Sequence, residues 1–257
     1  MCLIVVGTYT EHTGYTTGHA PGAYLVQLNP ADGSMLLLST ITEGIGTNPT
    51  FAAYNPTTST AYFTNEVVEG MVKAFSLVRG SGGAASSLTL LNEQESGGEG
   101  PCFLEVGPAG NIFCANYFSG ELTVFGTDPV DGALRSPRST MLPSGSGDVT
   151  FPGPVKVRQD GPHAHCFVPD VDAPSSGLAF ACDLGSDEVV LVRVVSTGPA
   201  TGAISVRDRC KLPPGSGPRH LAQGGESGRR IVVCGELSST LTLLDFDREA
   251  ETLRLVH

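Results

Sequence analysis

The sequence contains no tryptophan, and only 16% of its 257 residues are charged. The lack of tryptophan excludes repeat proteins whose units carry a Trp-Asp signature. Basic residues are scattered, with Arg229 and Arg230 as the densest pair, and the formal net charge is −11. We therefore expect no nucleic-acid partner and no membrane partner, although a few Arg and His side chains in a cleft could still bind a small anion.

Paired cysteine motifs, long apolar runs and nucleotide-binding loops are also missing. The seven cysteines have no Cys-x-x-Cys spacing, and most lie in apolar runs, which favours reduced thiols over disulfides or a zinc site. No stretch approaches the roughly 20 apolar residues of a membrane helix, and the N-terminus has no basic start, so a soluble, cytoplasmic protein is expected. Without a Gly-x-Ser-x-Gly elbow or a phosphate loop, serine catalysis looks unfavourable, and we predict no metal and no cofactor.

Glycine and proline are abundant, at 33 and 18 residues, and they mark an internal repeat. Four units open with Asn-Pro or Gly-Pro, at Pro49, Pro101, Pro162 and Pro218. Each unit continues into short strands rich in Val, Phe, Tyr and Thr, separated by turns. Units of about 50 to 60 residues with four short strands have the size of one blade of a β-propeller.

A fifth unit precedes the first of these prolines. It has a strand from Leu3 to Tyr9 and a hairpin from Ala23 to Ile41 that turns at Asp32-Gly33, a strong hairpin signal. Near the other end, Asp247–Leu255 is compatible with a helix, but Leu253–Val256 is equally typical of a last strand. Stretches rich in Gly and Ser at 79–87, 143–148 and 213–217 are predicted loops.

The sequence therefore predicts an all-β fold, a β-propeller of four-stranded antiparallel blades. We expect one domain over residues 1–257, with blade boundaries near 48, 100, 161 and 217. Helices should hold less than about a fifth of the residues, because the apolar runs are too short for ordinary helices.

Short motifs occur in a fixed order along the repeat: Gly7-Thr8-Tyr9-Thr10, Asn48-Pro49-Thr50, Asn65-Glu66, Gly161-Pro162-His163-Ala164-His165, Asp183-Leu184-Gly185, Gly215-Ser216-Gly217-Pro218-Arg219-His220 and Gly235-Glu236-Leu237. In this order they resemble the lactonase family of seven-bladed propellers, which includes 6-phosphogluconolactonases and a fungal 3-carboxy-cis,cis-muconate lactonizing enzyme. The chain departs from the family pattern at Gly235-Glu236, where Asn-Glu is usual.

The resemblance implies that about five blades of a seven-bladed pattern are present and that the domain is incomplete at its C-terminus. Five blades set at a seven-fold angle would leave a gap of two. We therefore expect an open arc, in which the strands Leu3–Tyr9 and Leu253–Val256 do not pair.

Two short segments carry the candidate chemistry. His163 and His165 are two residues apart, so on an extended strand their side chains share one face. They could bind a metal, bond to the backbone between blades, or act as acid–base or anion-binding groups. Arg219 and His220 follow a glycine-rich turn, where an Arg could bind a carboxylate or phosphate or could instead pair with Glu236.

The resemblance extends to individual residues. His163, Arg219 and Glu236 match the His, one Arg and the Glu of the proposed lactonizing site, and we take them as catalytic; the second Arg would lie beyond residue 257. His165, His220, Glu66 and Asp183 are predicted to contact substrate. Glu66 and Glu236 end equivalent strands, where a carboxylate could line a central mouth or could cap a turn.

The resemblance also implies a function, namely hydrolysis of a sugar lactone, with 6-phospho-D-glucono-1,5-lactone as the expected anionic substrate. Two alternatives stay open: a carboxymuconate lactonizing activity, and a non-catalytic propeller scaffold that binds partners at its mouth.

Overall fold

The computed structural model describes residues 2–79, 85–142, 150–195 and 202–256. Its strands are β1 (Cys2–Val6), β2 (Ala23–Leu28), β3 (Met35–Ile41), β4 (Ala52–Asn55), β5 (Thr60–Asn65), β6 (Met71–Arg79), β7 (Ala85–Glu95), β8 (Pro101–Val106), β9 (Ile112–Asn116), β10 (Glu121–Thr127), β11 (Leu134–Met141), β12 (Ala164–Pro169), β13 (Leu178–Asp183), β14 (Glu188–Val194), β15 (Ile204–Lys211), β16 (Pro218–Gly224), β17 (Arg230–Gly235), β18 (Thr240–Asp247) and β19 (Thr252–Leu255). Two single-turn 3-10 helices, Pro174–Ser176 and Glu226–Gly228, are the only helices in these ranges.

The strands form five antiparallel sheets in chain order. Four sheets have four strands, namely β4 to β7, β8 to β11, β12 to β15 and β16 to β19, and the first has three, β1 to β3. The four-stranded sheets begin at or just after Pro49, Pro101, Pro162 and Pro218, which confirms the predicted blade boundaries. We number the sheets as blades 1 to 5.

Blade 1 departs from the prediction of four strands. Strand β1 ends at Val6 rather than at Tyr9. At Gly7 the chain runs so close to blade 2 that an added Cβ would lie 2.5 Å from the Pro49 carbonyl oxygen, and Thr8 N donates to that same oxygen over 2.8 Å. The chain therefore leaves the sheet here and begins the long loop of residues 7–22.

The second strands of blades 2, 3 and 4 are buried on both faces, whereas β17 of blade 5 alternates exposed and buried residues. Every residue of β5 and β13 is buried, because blades 2 and 4 each pack both faces against neighbouring blades. Phe113 and Phe167 pack 4.8 Å apart between blades 3 and 4, and Phe180 and Phe246 pack 4.9 Å apart between blades 4 and 5. This double burial explains why the strands read as continuous apolar runs rather than as alternating patterns.

At the two ends of the described chain, β1 pairs only with β2 and β19 pairs only with β18. Within the described residues, β1 and β19 are therefore not paired with each other. Residues Asp247–Leu255 form strand ends and a turn rather than a helix. The loop at 213–217 is present as predicted, whereas 143–148 lies outside the described residues. The loop predicted at 79–87 is wrong at its ends, because Arg79 belongs to β6 and residues 85–87 to β7, while 80–84 lie outside the described residues.

Candidate active site

A cavity of about 720 Å³ opens where the first strands of the blades meet the turns that follow the second strands. Its lining draws on every blade: Tyr9, Gly14, Tyr15, Thr50, Phe51, Glu66, Cys102, Tyr117, Phe118, Val157, Arg158, Asp160, His163, His165, Arg219 and Glu236. The structure thus brings together five of the seven residues selected from the sequence, namely His163, His165, Arg219, Glu236 and Glu66.

A repeated β-bulge points three of the lining residues into the cavity. The pairing of β8 with β9 skips Cys102, the pairing of β12 with β13 skips His165, and the pairing of β16 with β17 skips Arg219. An extra residue in one strand of a pair re-aims its side chain. The same local distortion therefore presents a thiol, an imidazole and a guanidinium from three consecutive blades.

The turns after the second strands supply a further set. Glu66 follows β5, Tyr117 follows β9 and Glu236 follows β17. The equivalent residue of blade 4 is Leu184, which is fully buried and does not line the cavity.

Asp183 is the last residue of β13, as Asn65 is of β5 and Asn116 of β9. It therefore precedes the cavity-lining position by one residue, and this corrects its assignment to substrate binding. Its carboxylate is fully buried and accepts hydrogen bonds from the backbone N–H groups of His163 (2.8 Å) and Gly185 (3.1 Å). Burial raises the pKa of Asp183 even though these bonds favour the ionised form. Asp183 therefore braces the backbone of His163 and does not face the cavity.

His220 also lies outside the cavity lining, which corrects the second substrate-binding assignment. Its ring packs against His165, Phe51 and Phe103, with centroids 5.4 to 6.2 Å away. Burial and the Arg219 charge lower its pKa. His220 therefore forms part of the layer of rings beneath the site, directly after the bulge at Arg219.

Two guanidinium groups converge on Glu236. Arg158 Nη2 lies 2.7 Å from Glu236 Oε1, and Arg219 Nη1 donates to Oε2. Burial works to raise the pKa of Glu236, but the hydrogen bonds and charges of Arg219 and Arg158 outweigh it and hold the pKa below its usual value. The pairing of Arg219 with Glu236, raised as an alternative from the sequence, therefore exists inside the cavity itself.

His163 is held at both ring nitrogens. Nδ1 lies 2.8 Å from the Tyr117 carbonyl oxygen and Nε2 lies 3.0 Å from Asp160 Oδ1. The ring also stacks on Tyr117, with centroids 4.5 Å apart and planes 16° apart. Both partners offer acceptor oxygens, and Asp160, whose side chain is 73% exposed, can move aside.

His165 lies deeper than His163. Its Nε2 is 3.8 Å from Glu236 Oε2 and its Nδ1 is 3.7 Å from Cys102 Sγ. Burial, and then the Arg219 charge, lower the pKa of His165 to about 3, so this imidazole is neutral near neutral pH. Burial also raises the pKa of the Cys102 thiol, which keeps it protonated and a poor nucleophile.

Sequence reasoning missed Arg158 and the two tyrosines Tyr9 and Tyr15. Arg158 lies in an irregular segment just before Pro162, where no periodicity marks a site, and it also donates from Nε to Tyr117 Oη over 3.0 Å. Tyr9 lies in the Gly7-Thr8-Tyr9-Thr10 motif, which could have marked it as a site residue. Nothing in the sequence distinguished Tyr15.

Among the described residues, no group of three or more His, Cys, Asp or Glu side chains is arranged to hold a metal ion. Within the same ranges, no helix has the length and apolar character that crossing a membrane requires.

Comparison with known proteins places these features in a family. A 6-phosphogluconolactonase of Formosa agariphila is 28% identical over 246 residues, which are 93% of this chain and 64% of that protein. A crystal structure from Bacteroides fragilis, described as a candidate 6-phosphogluconolactonase, superimposes with a TM-score of 0.79 at 28% identity over 99% of this chain and 66% of that one. A Lactobacillus plantarum structure gives 0.77 at 25% identity, over 99% and 65%.

The chain thus spans about two thirds of the length of these relatives. The family described as "Lactonase, 7-bladed beta-propeller" matches residues 3–257. The chain therefore belongs to the lactonase family of seven-bladed β-propellers.

Proposed function

We propose that the protein hydrolyses a sugar lactone, with 6-phospho-D-glucono-1,5-lactone as substrate. The observation that carries the proposal is the convergence of Arg158 and Arg219 on Glu236 inside a cavity of about 720 Å³. Relatives named 6-phosphogluconolactonase support the choice of reaction. We take the five blades as one domain over residues 1–257, and the reaction as cytoplasmic, where the free cysteines stay reduced.

Arg158 and Arg219 supply the anion-binding side of the cavity. Their side chains are 37% and 43% exposed, so both guanidinium groups can reach a ligand while they hold Glu236. A guanidinium presents several N–H donors in a fixed plane, which suits phosphate, carboxylate and a developing oxyanion.

Glu236 is the proposed general base. Its low pKa keeps it ionised at neutral pH, so it can accept a proton from water as the water oxygen attacks the lactone carbonyl carbon. The carbonyl oxygen becomes an oxyanion that an arginine N–H group stabilises.

His163 is the proposed proton donor. When the ring C–O bond breaks, the departing oxygen takes a proton from the imidazolium, and the open hydroxy acid is formed. Asp160 Oδ1 lies 3.0 Å from Nε2 and orients the ring before the transfer. Water supplies the hydroxyl group of the new carboxyl group. The proton that Glu236 accepts is released to solvent and His163 takes one up, so both side chains return to their starting states.

The test measures hydrolysis of 6-phospho-D-glucono-1,5-lactone above the uncatalysed rate, for the wild type, Arg219→Met and Arg193→Met. Arg193 pairs with Glu251 outside the cavity, so its variant is the matched control. We expect Arg219→Met to lower kcat/KM by about 10²-fold or more and Arg193→Met to leave it unchanged.

Wild-type protein that gives no acceleration would refute the proposal. Cyclisation of 3-carboxy-cis,cis-muconate without lactone hydrolysis would favour the lactonizing alternative. Inactivity on both substrates would favour a binding scaffold.

A further inference from the structure

The cavity has a second polar wall, made by the loop of residues 7–22 and by blade 2. Glu66 accepts hydrogen bonds from Tyr9 Oη (2.9 Å), Tyr15 Oη (2.8 Å) and Thr50 Oγ1 (2.6 Å). We call these four residues the hydroxyl wall.

The loop that carries the tyrosines is fixed to blade 2. Asn48 Oδ1 accepts from the backbone N–H groups of Thr10 (3.0 Å) and Glu11 (3.1 Å), and Gly18 N donates to the Glu11 carbonyl oxygen over 3.1 Å. The hydroxyl groups of the wall are therefore held in place before any ligand binds, which lowers the entropic cost of binding.

The protons of the wall have defined directions. Burial, together with the charge of Glu66, raises the pKa values of Tyr9 and Tyr15, so both phenols stay protonated and donate to Glu66. A phenol oxygen that donates its hydrogen still has lone pairs to offer. The phenol oxygens can therefore accept hydrogen bonds from a ligand. Tyr15 is 58% exposed, so a ligand can approach it from the solvent side.

The hydroxyl wall carries no cation, in contrast to the wall of Arg158 and Arg219. Acceptor oxygens beside a carboxyl group disfavour phosphate and carboxylate groups but bind O–H donors. Aromatic faces continue from the wall, since Tyr15 meets Phe118 with centroids 6.4 Å apart and Phe118 meets Tyr117 at 6.0 Å. Such faces suit the C–H surface of a sugar.

We propose that the hydroxyl wall is the subsite for the hydroxyl groups of the substrate, with Tyr9 and Tyr15 accepting their hydrogen bonds while the arginines bind the anionic group at the other wall. The two walls then select a molecule that is polyhydroxylated in one part and anionic in another. This inference rests on the proposed function, because it assigns the substrate's parts to the same cavity.

The test uses Tyr15→Phe and Tyr9→Phe, with Tyr54→Phe as control because Tyr54 is also exposed but does not line the cavity. Calorimetry measures binding of 6-phosphogluconate and of inorganic phosphate, and kinetics give KM and kcat for the phosphorylated lactone. We expect each cavity variant to weaken 6-phosphogluconate binding and raise KM by about 3- to 10-fold, with phosphate affinity and kcat unchanged. Tyr54→Phe should match the wild type.

The outcomes separate the two proposals. If the wild type hydrolyses the lactone but neither tyrosine variant changes KM or 6-phosphogluconate affinity, the inference is wrong and the proposed function stands. If the wild type is inactive yet binds 6-phosphogluconate in a tyrosine-dependent way, the inference stands and the function is wrong. Equal loss of phosphate and 6-phosphogluconate binding in the variants would also overturn the inference, since it would show a general disturbance of the cavity.

Discussion

Replacing Glu236 with glutamine removes the carboxylate charge that Arg158 and Arg219 share while keeping the shape of the side chain. An external anion bound by these guanidinium groups would lie about 5 Å from Glu236. At an effective dielectric constant of about 40 to 80, suited to side chains this exposed, the repulsion amounts to about 0.8 to 1.7 kcal/mol. Glu236→Gln should therefore tighten phosphate binding about 4- to 16-fold.

The measurement is a calorimetric or phosphorus NMR titration with inorganic phosphate at low ionic strength, repeated at high salt, where screening should reduce the gain. The same variant should lose about 10²- to 10⁴-fold in kcat, because the proposed general base is gone. Glu251→Gln is the control: Glu251 lies between Arg193 and Arg207 outside the cavity, so kcat/KM and its inhibition by phosphate should not change. Weaker or unchanged phosphate binding in Glu236→Gln would show that the arginines are not the anion site.

Three further predictions concern single contacts. Arg158→Met should move the acidic limb of the pH profile of kcat/KM to higher pH. Glu236 loses one of the two cations that lower its pKa, and activity requires its ionised form. An acidic limb at the wild-type pH would exclude Glu236 as the base. Asp187→Ala should lower the free energy of unfolding in urea by about 2 to 4 kcal/mol. The Asp187 carboxylate accepts hydrogen bonds from Gly215 N and Gly217 N, each over 2.7 Å. A decrease below about 0.5 kcal/mol, typical of surface changes, would contradict this. Tyr62→Phe should cost about 1 to 2 kcal/mol without changing kcat, because its buried hydroxyl donates to Gly132 O over 2.8 Å away from the cavity.

The sequence was sufficient for the blades because their signals are local. A proline at each entry, turns rich in glycine, and apolar runs too short for helices together indicate strands and their boundaries. The prediction for blade 1 was less accurate, because the chain leaves β1 after Val6 to approach Pro49. Such a contact between blades leaves no periodicity in the sequence.

Site residues could be predicted only where they belong to one of the short motifs of the repeat. Asp183 and Glu66 occupy similar places in their motifs, yet β13 ends at Asp183 whereas β5 ends at Asn65, so Asp183 corresponds to Asn65 and not to Glu66. That single step turns a side chain from the cavity to the interior, because successive residues of an extended chain face opposite ways. Arg158 was missed for a related reason, since an irregular segment has no register to count.

The bulges at Cys102, His165 and Arg219 explain how a repetitive scaffold can carry a non-repetitive site. In each of these blades the backbone adds one unpaired residue at the same place in the first strand, so the ladder on either side keeps its pairing and its apolar core. The unpaired residue lines the cavity and takes no part in the ladder pairing, so its chemical type can differ from blade to blade. A substitution at Arg219, whose side chain is 43% exposed, should therefore alter the chemistry of the cavity while leaving the stability of the blade largely intact. Cys102 and His165 are buried, so substitutions there should cost stability as well, as should substitutions one residue later in the strand, at Phe103 or Cys166.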